Sequence, residues 1–290
     1  MIAAAHRERP GITWAAPAVL FFLAFAILPV VAVVYLSFTE WNGLGDPRWI
    51  GTANWSALSA DSELVNGITT TLTLTVVSWL VQTPLALLIG VWAAGPQRNR
   101  AVLSTLFFLP LLLSTAAIAV TFVSLLDPNF GLAASIGDGN FLGDPERALY
   151  LIALVIAWQF VPFHTLLYQS ATRQIPASLY EAAQIDGATG VRQFFAITLP
   201  QLRNTIIASS VLMLVGSLTY FEMILLMTNG GPGTATRVLP LHMYAKGFVG
   251  FDMGYASALA VLLVLAGAAL SIVVVRSTGY HRMASDREGA

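Results

Sequence analysis

Six long apolar stretches limit the folds that this sequence can adopt. They lie near residues 12–37, 66–94, 101–126, 148–172, 204–228 and 255–276. Each is long enough for an α-helix to cross a lipid bilayer, which takes about 20 apolar residues. Only 10% of the 290 residues are charged, whereas a soluble domain carries about 25%. We therefore predict an all-α integral membrane protein, with six transmembrane helices in a single domain that covers residues 1–290.

Basic residues are distributed unevenly among the segments that join these stretches. An even number of spans places both chain ends on one side. That side holds Arg7, Arg9, Arg98, Arg100, Arg173, Arg192, Arg203, Arg276, Arg282 and Arg287. The opposite side holds Arg48, Arg147, Arg237 and Lys246. Because cytoplasmic loops carry the excess of lysine and arginine, the pattern predicts that both termini are cytoplasmic.

The residues needed for several kinds of catalysis are missing from the sequence. A P-loop requires Gly-Lys-Ser/Thr, and the single lysine, Lys246, lies in "AKGF". There is no cysteine and no His-Glu-x-x-His motif, and the four histidines are scattered along the chain. We therefore expect this chain to have no catalytic residues, no metal site, no cofactor of its own and no nucleic-acid partner.

One acidic residue lies clearly inside an apolar stretch. This residue is Glu222, in "SLTYFEMILLMTNGG". An ionisable group at membrane depth is costly, so it indicates a functional site. A structural acid that faces a water-filled cavity is an equal alternative. An ion-coupled secondary carrier is a further alternative, although such carriers usually hold more intramembrane charge and repeated spans.

A polar segment, "YEAAQIDGATGVRQFFAITLPQL", lies between the fourth and fifth apolar stretches. Pro176 suits the first turn of a helix, and Gly187 suits the left-handed position just after its end. A second helix is predicted from about Val191 to a break or kink at Pro200. Such a helix–turn–helix on the cytoplasmic side is shaped to fit a groove in a partner protein. A helix that rests on lipid headgroups is the alternative.

This segment resembles the EAA signature of ABC importer permeases, which is Glu-Ala-Ala, three residues, Gly, nine residues and Ile-x-Leu-Pro. Every fixed place is matched, by Glu181, Ala182, Ala183, Gly187, Ile197, Leu199 and Pro200. The resemblance implies the transmembrane domain of a type I ABC importer, in which the EAA loop, residues 173–203, carries a cytoplasmic coupling helix. The contacts that it implies with a separate ATPase are Glu181, Ala182, Ala183, Asp186 and Gly187. The residues expected to shape the rest of the loop are Ile197, Leu199 and Pro200.

Two further segments narrow the family. "FLPLLLSTAAIAVTFVSLLDPNFG" is similar to carbohydrate-uptake permeases. "LLMTNGGPGTATRVLPLHMYAKGFVGFDMGYASALAVLL" is similar to the first of two paired sugar permeases, the one like the larger maltose-permease subunit. The resemblance covers roughly residues 12–276. It implies a multi-pass protein of the bacterial plasma (inner) membrane, with a sugar, in particular an oligosaccharide, as the cargo.

The resemblance also implies partners that this chain does not supply. A second permease subunit completes the pathway, two copies of a cytoplasmic ABC ATPase bind ATP and Mg, and an extracytoplasmic substrate-binding protein delivers the sugar. Sugar sites usually combine aromatic faces with hydrogen-bonding side chains, so the candidates for the substrate pathway are Gln159, Tyr220, Phe221 and Glu222. Because neighbouring residues on a continuous helix point in different directions, we do not expect all of them to face one cavity.

Other functions remain open at this point. A polyol or glycerol phosphate is an alternative cargo, although a phosphate would favour arginines inside the spans, where the sequence places none. A membrane anchor that recruits a cytoplasmic protein without transporting anything is another alternative, and it predicts no substrate-dependent ATPase activity.

Overall fold

The computed structural model describes residues 12–95, 100–135 and 139–277, and its regular structure is almost entirely helical. The helices, numbered in chain order, are α1 (Ala16–Leu36), α2 (Ala53–Leu58), α3 (Ser62–Ala94), α4 (Arg100–Leu112), α5 (Thr115–Leu125), α6 (Ala148–Thr172), α7 (Ala177–Ile185), α8 (Gly190–Gln193), α9 (Leu199–Gln201), α10 (Arg203–Ser217), α11 (Glu222–Met227), α12 (Leu239–Tyr244) and α13 (Met253–Ser277). Two short strands, β1 (Thr39–Glu40) and β2 (Arg48–Trp49), form an antiparallel hairpin. The chain divides into two compact units, one formed by the described residues up to Ala60 with Met243–Leu262, the other by the rest.

The first unit contains α1 and the hairpin that follows it. The side-chain amide of Asn54 donates to the carbonyl oxygens of Ser37 and Thr39, at 3.1 and 2.8 Å. The N–H of Met253 donates to the carbonyl oxygen of Trp41 at 2.9 Å. These bonds connect backbone groups that have no partner in a regular helix, so they hold the irregular segment after α1 in one conformation.

α1 exposes its apolar side chains along its whole length. None of its residues is buried, and Phe25 exposes 71% of its surface. A bare apolar helix of this kind is stable where lipid or another protein covers it, because water does not solvate such a surface favourably. The helix is therefore placed as a membrane-spanning segment of an integral membrane protein.

α3 and α6 form the centre of the second unit. Asp61 caps the start of α3, because its carboxylate accepts hydrogen bonds from the N–H groups of Glu63 and Leu64. The 33 residues of α3 correspond to about 50 Å of helix. Gly90 lets α3 approach α6 closely, since a Cβ atom at Gly90 would lie 2.7 Å from the Cβ atom of Tyr168.

One apolar cluster joins these two helices to the EAA loop. Its buried members are Ala86, Leu87, Ala157, Val161, Tyr168 and Leu202. Leu202 lies at the end of the EAA loop and is fully buried. The loop is therefore attached to the transmembrane core at its second end, just before α10 begins.

Four helices in the described part of the chain are long and apolar enough to cross a membrane: Ala16–Leu36, Ser62–Ala94, Ala148–Thr172 and Met253–Arg276. These correspond to the first, second, fourth and sixth predicted stretches. The third stretch, 101–126, is bent by 100° between Leu112 and Thr115 instead of forming one straight helix. The hydroxyl group of Ser114 accepts from the N–H of Ala117 and so starts a new helix at the bend.

The fifth stretch, 204–228, also differs from the continuous helix that its hydropathy predicts. α10 ends at Ser217, and α11 begins at Glu222. Near the break, the hydroxyl groups of Ser217 and Thr219 donate to carbonyl oxygens three residues earlier, at 2.8 and 2.7 Å. Such side-chain bonds compete with the helical backbone pattern, which gives a physical reason for the break.

Candidate functional site

The first half of the EAA loop folds into the helix that its proline and glycine predict. Pro176 precedes α7, and Gly187 follows it with a φ angle of 74°. The N–H of Ala188 donates to the carbonyl oxygen of Ala183 at 2.8 Å. This bond around a left-handed residue is a common way to close a helix end. A side chain at Gly187 would meet open space, so backbone strain alone sets the cost of replacing this glycine.

α7 presents most of its side chains to the surroundings. Glu181, Ala182 and Asp186 are exposed, and Ala183 is half-buried. Ile185, at the end of the helix, exposes 87% of its surface. α7 therefore keeps Glu181, Ala182 and Asp186 accessible to another protein.

The second half of the EAA loop returns the chain to the core. α8 continues into a π-helical turn, Phe194–Thr198, and then into α9, where Pro200 is the second residue. Proline has no N–H group to donate, and the wider turn before it accommodates the missing bond. Ile197 and Leu199 are half-buried. The kink expected at Pro200 is thus a π-helical turn just before it, and the chain passes into α10 without a long break.

A cavity of about 310 Å³ lies where α5, α6 and the break between α10 and α11 meet. Its lining contains Thr115, Ile156, Gln159, Phe160, Gly216, Thr219, Tyr220, Phe221, Glu222 and Met223. All four residues that the sequence suggested for a substrate pathway are among them. The rings of Phe160 and Tyr220 stack with their centroids 5.9 Å apart.

The helix break explains why these residues share one cavity. The expectation that Tyr220, Phe221 and Glu222 cannot all face the same space is wrong, because it assumed a continuous helix. Tyr220 and Phe221 lie in the non-helical link, and Glu222 is the first residue of α11. In such a link the side chains do not follow the 100° rotation per residue of an α-helix.

Gln159 contributes a buried polar group to this cavity. Its residue surface is 4% exposed, and its Nε2 donates to the hydroxyl oxygen of Thr115 at 3.3 Å. Its Oε1 has no hydrogen-bond partner among the described residues. A buried acceptor of this kind is costly to leave unsatisfied, so it is suited to accept a hydrogen bond from a ligand hydroxyl group.

The sequence analysis missed a cluster of ionisable side chains at the start of α3. Nε2 of His242, which is fully buried, lies 2.9 Å from Oδ2 of Asp61. Its Nδ1 lies 3.6 Å from Oε2 of Glu63, and that oxygen is 3.1 Å from the guanidinium group of Arg237. The acids and their partners are more than 170 residues apart in the chain. No local sequence pattern signals such a pairing.

Three residues of this cluster have side chains of the kinds that bind metal ions. The candidate ligand atoms of Asp61, Glu63 and His242 lie within 4.8 Å of one another. Glu63 is already paired with Arg237, whose positive charge opposes a cation beside it. We therefore interpret the cluster as structural: the Glu63–Arg237 ion pair and the Asp61–His242 hydrogen bond connect the start of α3 with Arg237, before α12, and with His242, inside α12.

The fold, the EAA loop and the cavity are those of a known class of membrane protein. Residues 86–281 match the family described as binding-protein-dependent transport system inner membrane component. This match covers more than half of the chain. The chain therefore belongs to this family of importer permeases, as the EAA signature indicated.

Individual relatives agree with this family. The probable ABC transporter permease protein YurN of Bacillus subtilis is 32% identical over 272 residues, which is 89% of this chain and 92% of YurN. The trehalose/maltose transport system permease protein MalF of Thermococcus litoralis is 28% identical over 267 residues, which is 90% of each chain. The match to MalF confirms the resemblance to sugar permeases of the maltose type.

A solved structure confirms the fold class. A chain from the crystal structure of a bacterial ABC transporter involved in the import of the acidic polysaccharide alginate superimposes with a TM-score of 0.82. It is 25% identical, and the match covers 92% of this chain and 94% of that chain. The fold is therefore that of a type I ABC importer transmembrane subunit, with its mainly helical structure and its small two-stranded sheet.

Proposed function

We propose that this chain forms half of the translocation pathway of an ATP-driven, binding-protein-dependent sugar importer, and that it couples to a separate ATPase through the EAA loop. The observation that carries the proposal is one continuous connection within the second unit. The exposed helix α7 leads through buried Leu202 into α10, and α10 ends at the cavity that contains Tyr220 and Glu222. A transporter driven by an external ATPase needs such a connection between its docking surface and its pathway.

The lining of the cavity favours an oligosaccharide as the cargo. Stacked Phe160 and Tyr220 offer apolar ring faces, and Gln159, Thr115 and Thr219 offer hydrogen-bonding groups. Sugars present both kinds of surface, because their rings carry C–H faces and hydroxyl edges.

Glycerol phosphate is less suited to this cavity. None of the ten lining residues is basic, and Glu222 adds a carboxylate that repels a phosphate group. An uncharged polyol would use the same hydroxyl-binding groups as a sugar, but it would offer less apolar surface to the aromatic rings.

The complete importer in this proposal contains a second permease, two ATPase copies that bind ATP and Mg, and an extracytoplasmic binding protein. Both termini of this chain and the EAA loop lie on the cytoplasmic side of a bacterial inner membrane. Glu181, Ala182, Ala183, Asp186 and Gly187 form the surface that enters the ATPase cleft. Closure of the ATPases on ATP moves the coupling helices, so that the two permeases alternate between inward-facing and outward-facing states.

Purification and reconstitution test this proposal. The tagged chain is extracted from its own cells in mild detergent, and the copurifying proteins are identified by mass spectrometry. The expected result is a second permease, an ATPase with a P-loop and a binding protein, whose ligand is then found by screening neutral and acidic oligosaccharides. Reconstituted into liposomes, the complex is expected to take up that sugar only with ATP, and vanadate is expected to stop the uptake.

The same experiment separates the proposal from an ion-coupled secondary carrier. A carrier would take up substrate as the isolated chain, and ionophores that collapse the ion gradient would abolish the uptake. If the chain remains alone after cross-linking, or transports without ATP, the importer proposal fails.

A further inference from the structure

Two hydroxyl groups join the coupling helix to the segment that follows it. Oη of Tyr180 lies 2.9 Å from Oγ1 of Thr198. Tyr180 directly precedes Glu181 in α7, and Thr198 is the last residue of the π-helical turn Phe194–Thr198. Neither residue is a fixed place of the EAA signature, so the motif gave no reason to select them.

The two ends of this hydrogen bond are held very differently. Thr198 is 3% exposed, and its carbonyl oxygen accepts from the N–H of fully buried Leu202 at 3.0 Å. Tyr180 is half-buried on a helix whose residues are mostly exposed. The bond therefore connects a lightly packed surface helix to a position that is fixed in the transmembrane core.

A cavity of about 520 Å³ lies beside the pair. Its lining contains Val91, Ala94, Gly95, Thr172, Arg173, Tyr180, Gln184, Gly190, Gln193, Phe194 and Thr198. An open space offers no atoms for α7 to press against, so a displacement of α7 is transmitted by groups that bridge the space. Tyr180 and Thr198 form such a bridge, because both line the cavity and bond to each other.

We infer that Tyr180 is a positioning residue for ATPase coupling, because its hydroxyl group holds α7 against Thr198 and so passes the motion of α7 to the start of α10. This inference rests on the proposed function. α10 begins directly after Leu202 and ends at Ser217, next to the cavity that contains Tyr220. When the bond is missing, α7 still docks on the ATPase, but less of its motion reaches the pathway.

A single cysteine reports the motion without any need to know the sugar. The chain contains no cysteine, so Gly216→Cys gives a unique labelling site in the lining of the cavity, at a position where a side chain meets open space. The assembled importer, with its ATPase, is reconstituted and treated with fluorescein maleimide. The labelling rate of this chain's gel band is compared without nucleotide and with Mg-ATP plus vanadate.

The expected result is specific to the hydroxyl pair. Tyr180→Phe and Thr198→Val each reduce the nucleotide-dependent change in labelling rate by about fivefold, the factor that one neutral hydrogen bond contributes to an equilibrium. The double variant responds like either single variant, because the two substitutions remove the same bond. Thr198→Ser, which keeps the hydroxyl group, retains the response.

Thr172→Val is the matched control. It removes a hydroxyl group that lines the same cavity but bonds to the carbonyl oxygen of Tyr168 within its own helix, at 2.7 Å. It is expected to respond as the parent does, and all variants are expected to copurify the same amount of ATPase. A merely structural role for Tyr180 would instead lower ATPase recovery together with the response.

Two outcomes would overturn the inference in different ways. If the Gly216→Cys parent shows no nucleotide-dependent change, the proposed function fails, and the inference fails with it. If the parent responds and Tyr180→Phe responds equally, or if the effects of the two single variants add in the double variant, the proposed function stands and the inference alone is refuted.

Discussion

Replacement of Gly187 by alanine is expected to uncouple the importer without unfolding it. Gly187 has a φ angle of 74°, in the left-handed region, and a Cβ atom there would touch nothing within 4 Å. The cost is therefore backbone strain alone, about 1–2 kcal/mol for a residue other than glycine. Since 1.4 kcal/mol is about a tenfold change in an equilibrium, we expect the closed end of α7 to be about tenfold less populated.

The assay compares sugar transported with ATP hydrolysed in proteoliposomes. The sugar is the one that the copurified binding protein selects. We expect the ratio for Gly187→Ala to fall by up to about tenfold, because the strain lies at the docking surface. The thermal midpoint is expected to stay close to that of the wild type, since α7 adds little to the buried core.

Two matched variants isolate the left-handed backbone as the cause. Gly190→Ala also places a methyl group in open space, but Gly190 has no positive φ angle, so this variant is expected to transport normally. Gly187→Asn is expected to recover most of the coupling, because asparagine tolerates the left-handed conformation. Normal coupling in Gly187→Ala, or equal losses in Gly187→Ala and Gly190→Ala, would refute this reasoning.

Three further substitutions test other parts of the structure. Glu181→Lys reverses an exposed charge, so copurified ATPase is expected to fall while the thermal midpoint is unchanged; full ATPase recovery would contradict the docking role. His242→Ala removes a fully buried side chain that is hydrogen-bonded to Asp61 and is expected to lower stability by about 1–3 kcal/mol, seen as a lower thermal midpoint that an exposed-site control such as Tyr150→Ala does not show. Gly90→Ala forces a Cβ atom to 2.7 Å from Tyr168 and is expected to cost about 1–3 kcal/mol by overpacking, and an unchanged midpoint would argue against the close contact of α3 and α6.

The local signals of the EAA loop were sufficient to predict its structure. Pro176 and Gly187 mark the two ends of α7, and each acts through its own backbone geometry rather than through distant contacts. The long apolar helices could be predicted for a similar reason, because their length and composition alone make them suited to a bilayer.

The sequence predicted which residues line the cavity, but it did not predict their arrangement. Stretch 204–228 is predominantly apolar, so hydropathy indicates one helix. The hydroxyl bonds of Ser217 and Thr219 lie near the break, but hydropathy does not register them, and serine and threonine also occur commonly inside continuous membrane helices. Position therefore suggested Tyr220 and Glu222, but only the folded chain shows how they lie together.

In the proposed importer, the break between α10 and α11 gives α10 a mechanical role. α10 contains 15 residues, or about 22 Å of helix, between buried Leu202 and the non-helical link at Tyr220. A helix of this length moves as a rigid element, whereas the link can absorb a change in backbone angles. In the proposed importer, a shift at Leu202 would move α10 as a unit, and the link would let Tyr220 and Glu222 turn relative to α10.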